Sequence, residues 1–529
     1  MKVLRLIVIL TLLMMAGSVN LGSAATPQDR ASEIHELLTA WQTVEARSKL
    51  EALLEDSPTE THYLFAKARL QYLEGRYGDA VTQLSALIDG MKGEIPNSIQ
   101  QFQQQVKKTY ETLKGFDEYQ SPDGRFLIRY TGRDKLLIPY LLTVLQSADE
   151  ALSKDFRYRP KGRVVVEVYP EISYLAKVSP LSETDIETSG TIALCKYNRL
   201  MFTSPRALVR GYGWRDTVAH EFVHYYVTKL SRNTVPIWLH EGIAKFQETR
   251  WREGPGHRLD PPEEDMLARN LKLEKLITFD QMHPSMAKLP SQEAAGLAFA
   301  EVHTVIDFLH RRSKYEGLRR LMLNLRDKAE MNTALKKVYG FDLKGLWTVW
   351  KSDLQRVGLK EYPGLIQQSL EFKRPGEAKK DEDYEINYGS IKQKKVRDFT
   401  HLGELLRARN RPKAALKEYR KAELLGGDGN PTIQNGAAES LLQLKRFNEV
   451  PKTLTRVRSY YPRFLRTHLN LGSAFIQLKN TKAAIEAFEA VIGINPFHPA
   501  SYIALDKLYR KVGKTHRAEQ ALKSLELLK

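Results

Sequence analysis

The sequence of 529 residues has a single cysteine, Cys195, and a shortage of acidic side chains. One thiol excludes an intramolecular disulfide and any cysteine-rich zinc finger or ribbon, so a metal site must use histidines and carboxylates. The 63 Asp and Glu residues stand against 81 Lys and Arg, which gives a net charge of +18. This balance suggests anionic partners, but it does not choose among nucleic acid, a membrane surface and an anionic polymer.

The overall composition is that of a folded protein. Apolar residues make up 42% of the chain and charged residues 27%, which excludes wholesale disorder and collagen-like structure. The length suggests roughly three domains.

The N-terminus has the features of a secretory signal peptide. Lys2 and Arg5 precede an apolar run from Leu6 to Ala16, and small residues follow at 22–25. The run is well short of the roughly 18–20 residues that a membrane-spanning helix needs. We therefore predict that residues 1–25 are a cleaved signal peptide and that the protein is periplasmic or secreted, with an uncleaved membrane anchor as the alternative.

Export narrows the choice of partners. An exported chain meets little nucleic acid, so we expect no nucleic-acid partner. The excess positive charge then favours association with a membrane or an anionic envelope surface, or has no specific role.

The C-terminal part repeats with a period of 34 residues. Val450, Ala484 and Ala518 lie 34 residues apart in succession, and large apolar residues follow each at fixed offsets. This helix–turn–helix pattern resembles the tetratricopeptide repeat, which implies that the array binds protein partners. We predict four repeats in residues 398–529. The unit around Val450 fits least well, because Pro451 falls where a helix is expected.

A weaker repeat lies near the start of the chain. Ala46 and Ala80 are also 34 residues apart, and the segment 75–80 is typical of the turn between paired repeat helices. We predict a helical, tetratricopeptide-like region in residues 26–118, with plain amphipathic helices as the alternative.

Between the two arrays the pattern changes to short strands followed by helices. Residues 126–130, 164–169 and 200–203 are rich in β-branched or aromatic side chains, and the first two alternate with period two. This order favours an α+β domain in residues 119–357. A charged linker, solvated and poor in apolar residues, is predicted for residues 358–397.

The middle domain contains a His-Glu-x-x-His motif formed by His220, Glu221 and His224. Residues four apart share one face of a helix, so both imidazoles can converge on one ion. Glu221 lies about 100° further round the helix, where it can take a proton from a metal-bound water. The alternative is a pair of surface histidines on a helix.

A third ligand is available downstream. Glu241 lies in an otherwise apolar stretch after Pro236, and a buried carboxylate is costly unless it is paired or metal-bound. The small residues Gly242 and Ala244 are expected to allow close packing against the first helix. Two histidines and one glutamate, with water in the fourth position, form a catalytic rather than a structural zinc set.

Together these motifs resemble the peptidase MA-like group of gluzincin metallopeptidases, over roughly residues 119–357. The resemblance rests on the His-Glu-x-x-His motif and on the Trp-Leu-His-Glu-Gly-Ile-Ala segment at 238–244. It implies an α+β zincin-like domain that hydrolyses peptide bonds with Zn2+. It also implies His220, His224 and Glu241 as metal ligands and Glu221 as general base.

One position departs from the resemblance. Similar domains often carry a tyrosine where this chain has Phe299, and a phenyl ring cannot donate a hydrogen bond to a developing oxyanion. His303 and His240 are candidate donors, although a packing role or a role beside the ligands is the alternative for each.

The sequence thus predicts an exported zinc metallopeptidase, an endopeptidase in preference to an exopeptidase because no motif for a substrate amine is evident. Its repeats would bind protein partners or the protein or peptide substrate. The alternative is a peptidase-fold scaffold that is catalytically weak or inactive and that serves protein interactions in the envelope.

Overall fold

The fold is described from a computed structural model, which describes residues 26–252, 254, 258–373 and 391–528. The predicted signal peptide and the centre of the predicted linker lie outside the described residues. Within the described part of the chain, no helix combines the length and the apolar character needed to cross a membrane.

The described chain begins with helical hairpins. The helices before the sheet are α1 (Pro27–Thr39), α2 (Thr43–Asp56), α3 (Thr61–Leu73), α4 (Tyr77–Asp89) and α5 (Asn97–Leu113). The two alanines of the weak repeat, Ala46 and Ala80, are both fully buried, as close helix packing requires. These helices rest on the sheet, because Arg129 Nη2 donates to the Gly75 carbonyl (2.7 Å) and Asn198 Nδ2 donates to the Leu73 carbonyl (2.9 Å).

The described residues contain one five-stranded mixed sheet. Its strands are β1 (Asp117–Gln120), β2 (Phe126–Tyr130), β3 (Val164–Tyr169), β4 (Ala193–Lys196) and β5 (Arg199–Thr203). Their order is β1-β2-β3-β5-β4. The three central strands are parallel, and β1 and β4 pair antiparallel at the two edges. Every residue of β2, β3 and β5 is buried. The alternation in the sequence therefore does not correspond to one solvent-exposed face and one buried face.

Helices cover the sheet and build the rest of the middle domain. They are α6 (Ile138–Phe156), α7 (Ile172–Val178), α8 (Glu183–Ser189), α9 (Trp214–Ser231), α10 (Ile237–Gln247), α11 (Pro261–Lys272), α12 (Gln292–Arg326), α13 (Met331–Tyr339) and α14 (Leu343–Val357). Helix α12 is interrupted at Ser313 and Lys314, whose backbone is not helical. Helix α9 packs against α6, α10, α12 and strand β4, so it crosses the core of the domain.

The predicted solvated linker differs from the structure over residues 358–373. Its first part packs on the domain, where the backbone N–H of Val209 donates to the Glu371 carbonyl (2.9 Å) and that of Lys373 to the Ala207 carbonyl (2.8 Å). The Ile366 N–H also donates to the Tyr461 hydroxyl in the C-terminal array (2.8 Å). These bonds and the burial of Leu365 replace the contacts with water that a tether would make.

Eight helices follow in residues 391–528 and form four antiparallel pairs. They are α15 (Lys394–Ala408), α16 (Pro412–Ala422), α17 (Pro431–Gln443), α18 (Val450–Tyr460), α19 (Leu465–Gln477), α20 (Thr481–Ile494), α21 (Pro499–Lys511) and α22 (Thr515–Glu526). Pro451 occupies the first turn of α18, where the missing N–H costs nothing. The expected misfit of that repeat is therefore absent.

The C-terminal array contacts the middle domain beside the start of α9. The Tyr212 N–H donates to the Ile494 carbonyl (3.1 Å), and the Trp214 indole N–H donates to the Ile492 carbonyl (3.0 Å). Gly211 adopts φ +68°, and a Cβ there would lie 2.3 Å from the Ile494 carbonyl oxygen. Glycine is thus required at 211 for helix α20 to approach so closely.

Candidate metal centre

Helix α9 carries the predicted motif on its buried length. His220, Glu221 and His224 are each less than a tenth exposed. The two imidazole rings lie edge to face, with centroids 4.7 Å apart. The three side chains offer ligand atoms that all lie within 4.8 Å of one another. The surface-histidine alternative is therefore excluded.

The predicted third ligand approaches both histidines. Glu241 lies on α10, and its Oε2 is 3.4 Å from His220 Nε2 and 3.1 Å from His224 Nε2. Tetrahedral zinc with bonds of 2.0–2.1 Å to N and O ligands would separate its ligand atoms by roughly 3.3 Å. The distances from Glu241 Oε2 to the two imidazole nitrogens therefore fit a zinc ion.

Charge also favours a cation at this point. Although burial raises the pKa of Glu241, the neighbouring His224 and His220 hold it well below its usual value, so this carboxylate is ionised. Burial lowers the pKa of His220, but hydrogen bonds to Glu241 and Glu248 outweigh it and raise the pKa to about 10. An environment that holds a proton so firmly also favours a divalent cation in its place.

Glu221 has an oxygen available for proton transfer. Its Oε2 is buried and has no hydrogen-bond partner among the described residues. Burial raises the pKa of Glu221 above its ordinary value. The backbone N–H of Cys195, in edge strand β4, donates to this carboxylate. Helix α9 and strand β4 together therefore fix the carboxylate beside the ligand atoms.

The small residue after Glu241 does not pack as the sequence predicted. A Cβ on Gly242 would lie 2.7 Å from Ile306 Cγ1 and 3.0 Å from the Val302 carbonyl oxygen, both on α12. Helix α10 packs against both α9 and α12, and at Gly242 the close approach is to α12. It sets the position of Glu241 from its other side.

A second row of residues orients the histidines. His220 Nδ1 lies 3.3 Å from Glu248 Oε2, and the other Glu248 oxygen accepts from Lys245 Nζ (2.7 Å). Lys245 also pairs with Glu263 (2.8 Å). Burial lowers the pKa of Lys245, but these two carboxylates outweigh it and raise the pKa. The ion pairs of Lys245 hold Glu248 in place, and Glu248 in turn orients the ring of His220 so that Nε2 points toward Glu241.

Glu248 was not among the predicted site residues, although a signal was present. It follows Glu241 by seven residues and caps the C-terminal end of α10, which places both carboxylates on one face, two turns apart. The two candidate donors to the oxyanion lie in different places. His240 stacks on His224 with ring centroids 4.6 Å apart. His303 is buried against Phe246 (5.8 Å) and does not line the cleft. The phenyl ring of Phe299 meets His220 edge to face at 5.9 Å.

The metal centre opens into a cleft that the C-terminal array helps to line. The cleft is lined by His220, Glu221 and Phe299 on one side and by residues 189–194 on another. Arg463, between α18 and α19, also lines it and pairs with Asp260 (3.2 Å). No local pattern in the sequence marks this residue, because a lone arginine in a repeat array is typical of an exposed surface.

Comparison with known families agrees with the class of the site. Residues 151–356 match the family model of the Peptidase MA superfamily, and residues 465–498, which contain helices α19 and α20, match the tetratricopeptide repeat. The chain therefore contains a Peptidase MA superfamily domain and a tetratricopeptide repeat. Strand β2 pairs with β3, so the folded unit extends beyond the N-terminal end of the match.

Other comparisons add little. No curated protein matches the chain. Among solved structures, that of a MamA mutant matches with 19% identity over 25% of this chain and 77% of that one, at a TM-score of 0.24. The "APC/C hetero-tetramer Cut9-Hcn1" matches with 11% identity over 95% of this chain and 79% of that one, at a TM-score of 0.25. Scores this low carry no argument about fold or function.

Proposed function

We propose that the protein is an exported zinc-dependent endopeptidase with a zincin-like domain, whose helical arrays bind the substrate or protein partners. The observation that carries the proposal is the approach of Glu241 Oε2 to His220 Nε2 (3.4 Å) and to His224 Nε2 (3.1 Å). The oxygen of Glu221 that has no partner among the described residues lies on the same helix as the two histidines. The Peptidase MA superfamily match supports hydrolysis of peptide bonds as the reaction.

The residues of the site have two roles, metal binding and proton transfer. His220, His224 and Glu241 would hold the zinc ion, which when bound lowers the pKa of a coordinated water and polarises a carbonyl group. Glu221 accepts a proton from the attacking water at Oε2 and delivers it to the leaving amine. Its raised pKa suits this double role, because a group that both takes and gives a proton works best near the ambient pH.

The proposal is tested by metal content and turnover on the chain from residue 26. Purified without added metal, it should carry about one zinc ion per chain by elemental analysis. A double variant, His220→Ala with Glu241→Ala, should carry none. His516→Ala is the matched control, since His516 is exposed on α22 and should leave zinc content unchanged.

Turnover separates the roles of ligand and base. Glu221→Gln should retain zinc and lose cleavage of a peptide library by at least about a hundredfold, because general base catalysis supplies roughly 10²–10⁴. A Glu221→Gln variant that cleaves at the wild-type rate would refute the role of this residue. Absence of zinc from the wild type, even after reconstitution, would refute the metal centre.

A scaffold without catalysis is the second candidate, and one observation favours it. Phe299 places a ring with no donor beside His220, where a hydroxyl would stabilise the oxyanion. Zinc binding without cleavage of any library peptide, together with retained partner binding by the array, would favour the scaffold over the peptidase.

A further inference from the structure

A second cavity reaches the metal ligands, and its lining includes no residue of the C-terminal array. It has a volume of about 620 Å³, and both His224 and Glu241 line it. The other walls include the N-terminal helices, β4 and the turn after it, the connection from α9 to α10, and residues 284–288. The residues of these walls include Trp41, Arg69, Tyr72, Phe102, Lys196 and Tyr197, and we call this cavity the aromatic pocket.

The aromatic wall is preformed. The ring of Tyr72 packs edge to face with Phe102 (5.5 Å) and with Tyr197 (5.6 Å). Its hydroxyl also accepts from Gln105 Nε2 (3.1 Å). Rings locked by one another lose little entropy when a ligand binds, so the wall is suited to an apolar side chain.

The charged side chains that line the aromatic pocket are basic, with the exception of one metal ligand. Among the described residues that line it, the only acid is Glu241, the metal ligand, whereas Arg69, Lys196 and Lys288 are all basic. Lys288 is paired with Asp185 (2.6 Å). The other two cations form no ion pair with a carboxylate among the residues that the structure describes.

The environment of Arg69 shows that an anion would stabilise this side chain. Arg69 donates to His35 Nδ1 (2.7 Å) and to Thr39 Oγ1 (3.4 Å). His35 is a neutral acceptor, since burial and the neighbouring Arg69 lower its pKa to about 4. Lys196 is exposed and so accessible to a ligand. Arg69 is half-buried, and burial lowers its pKa, because no carboxylate compensates for its loss of water. A ligand carboxylate would do so.

We propose that the aromatic pocket binds the part of a polypeptide substrate that carries an apolar side chain next to a carboxylate. The N-terminal helices would in this way select which peptide bond reaches the metal centre. The inference rests on the proposed function, because only a peptidase needs to place a peptide bond there. The carboxylate belongs to an acidic side chain or to the C-terminus of the substrate, and the test distinguishes them.

The test measures binding on the Glu221→Gln protein, so that no turnover is required. Three fluorescein-labelled decapeptide pools are used, and their randomised positions exclude Asp and Glu. The first has Phe-Glu at its two central positions and an amidated C-terminus. The second has Phe-Gln at these positions and an amidated C-terminus. The third has Phe as its last residue and a free C-terminus. We expect the first or the third pool to bind about tenfold more tightly than the second, as a charge-assisted hydrogen bond allows.

Charge-removing variants locate the preference in the aromatic pocket. Arg69→Met with Lys196→Met, added to Glu221→Gln, should bring the three pools within about twofold of one another. Lys107→Met is the matched control, because Lys107 is exposed on α5 and does not line the cavity. Unchanged thermal unfolding of each variant shows that the fold is intact.

The outcomes separate the two proposals. A preference for the first pool identifies an acidic side chain as the carboxylate, and a preference for the third identifies the substrate C-terminus. Three outcomes would overturn the proposal for the aromatic pocket. They are equal binding of all pools, no measurable binding, and a preference that persists in the double variant. If the pocket prefers a carboxylate but the zinc-loaded wild type cleaves none of the bound peptides, the pocket stands and the peptidase proposal fails.

Discussion

His224 Nδ1 lies 2.5 Å from Nδ1 of His240, whose other nitrogen lies 3.1 Å from Thr228 Oγ1. Burial lowers the pKa of His240 to about 3, so this ring is neutral and carries one N–H. We assign that proton to Nε2, where it donates to Thr228. His240 Nδ1 then accepts from His224 Nδ1, so that a metal ion bound at His224 Nε2 would replace the proton that this nitrogen shares with Glu241. His224 would then have the tautomer that a metal ligand requires.

Replacement of this orienting ring should weaken the metal centre. We expect His240→Phe, which keeps the stacking but removes the acceptor, to lower zinc affinity by about 10–100-fold. A competition titration with a chelator measures the change. His303→Phe is the control, because His303 lies outside the cleft, and it should leave zinc affinity within about twofold. Equal affinity in the His240→Phe protein would show that His224 is oriented by other contacts.

The packing of the C-terminal repeats makes a sharper prediction for stability. A Cβ on Gly472 would lie 2.7 Å from Phe488 Cε2, since α19 and α20 touch at this point. Gly472→Ala should destabilise the array by about 1–3 kcal/mol through overpacking. Chemical denaturation followed by the helical signal measures this loss.

A second glycine of the same helix pair is the control. Gly493 lies in α20, and a Cβ there would meet nothing within 4 Å. Gly493→Ala should therefore stabilise the array by about 0.5–1 kcal/mol, because alanine loses less backbone entropy than glycine in a helix. Loss of stability at both positions would mean that close contact with Phe488 is not the cause.

The sequence sufficed for the parts of the site that are close together along the chain. His220, Glu221 and His224 share one helix, so their convergence follows from helical periodicity alone, and Glu241 stands out as a charge in an apolar stretch. Arg463 and Arg69 did not stand out, because they reach the two cavities only through contacts between distant elements. The repeat period predicted the helix pairs, but the packing of residues 359–373 depends on surfaces that no local pattern describes.

A buried acid on α12 predicts a pH dependence of stability. Glu301 is fully buried; one oxygen accepts from the Ile277 N–H (2.9 Å), and the other has no partner among the described residues. Burial raises its pKa from 4.5 to about 8. Between these values the folded state holds a proton that the unfolded state has lost, so stability falls as pH rises, by about 1.4 kcal/mol per pH unit.

Glu301→Gln should remove this contribution, because the amide keeps the shape and the acceptor but does not titrate. The wild type should lose about 2 kcal/mol of unfolding free energy between pH 5.5 and pH 7.5 through this group, and the variant should not. The difference in stability between the two proteins should therefore shift by this amount in favour of the variant. Denaturation midpoints of both proteins at the two pH values measure this shift. All other titrating groups are the same in the two proteins, so their contributions cancel. A parallel pH dependence of the two proteins would show that Glu301 is ionised in the folded state.

The phenyl ring beside the metal centre predicts a gain of function. Phe299 lines the cleft with its ring 5.9 Å from that of His220, and it lacks the hydroxyl that could donate to an oxyanion. If that donor limits the reaction, Phe299→Tyr should raise kcat about tenfold or more and leave KM within about twofold, since the new bond forms only in the transition state. Phe299→Leu, which also changes the ring but adds no donor, should give no gain. A zinc-loaded Phe299→Tyr enzyme with unchanged kcat would indicate that another group in the cleft, with Thr217 and Arg463 lining it, already supplies the donor.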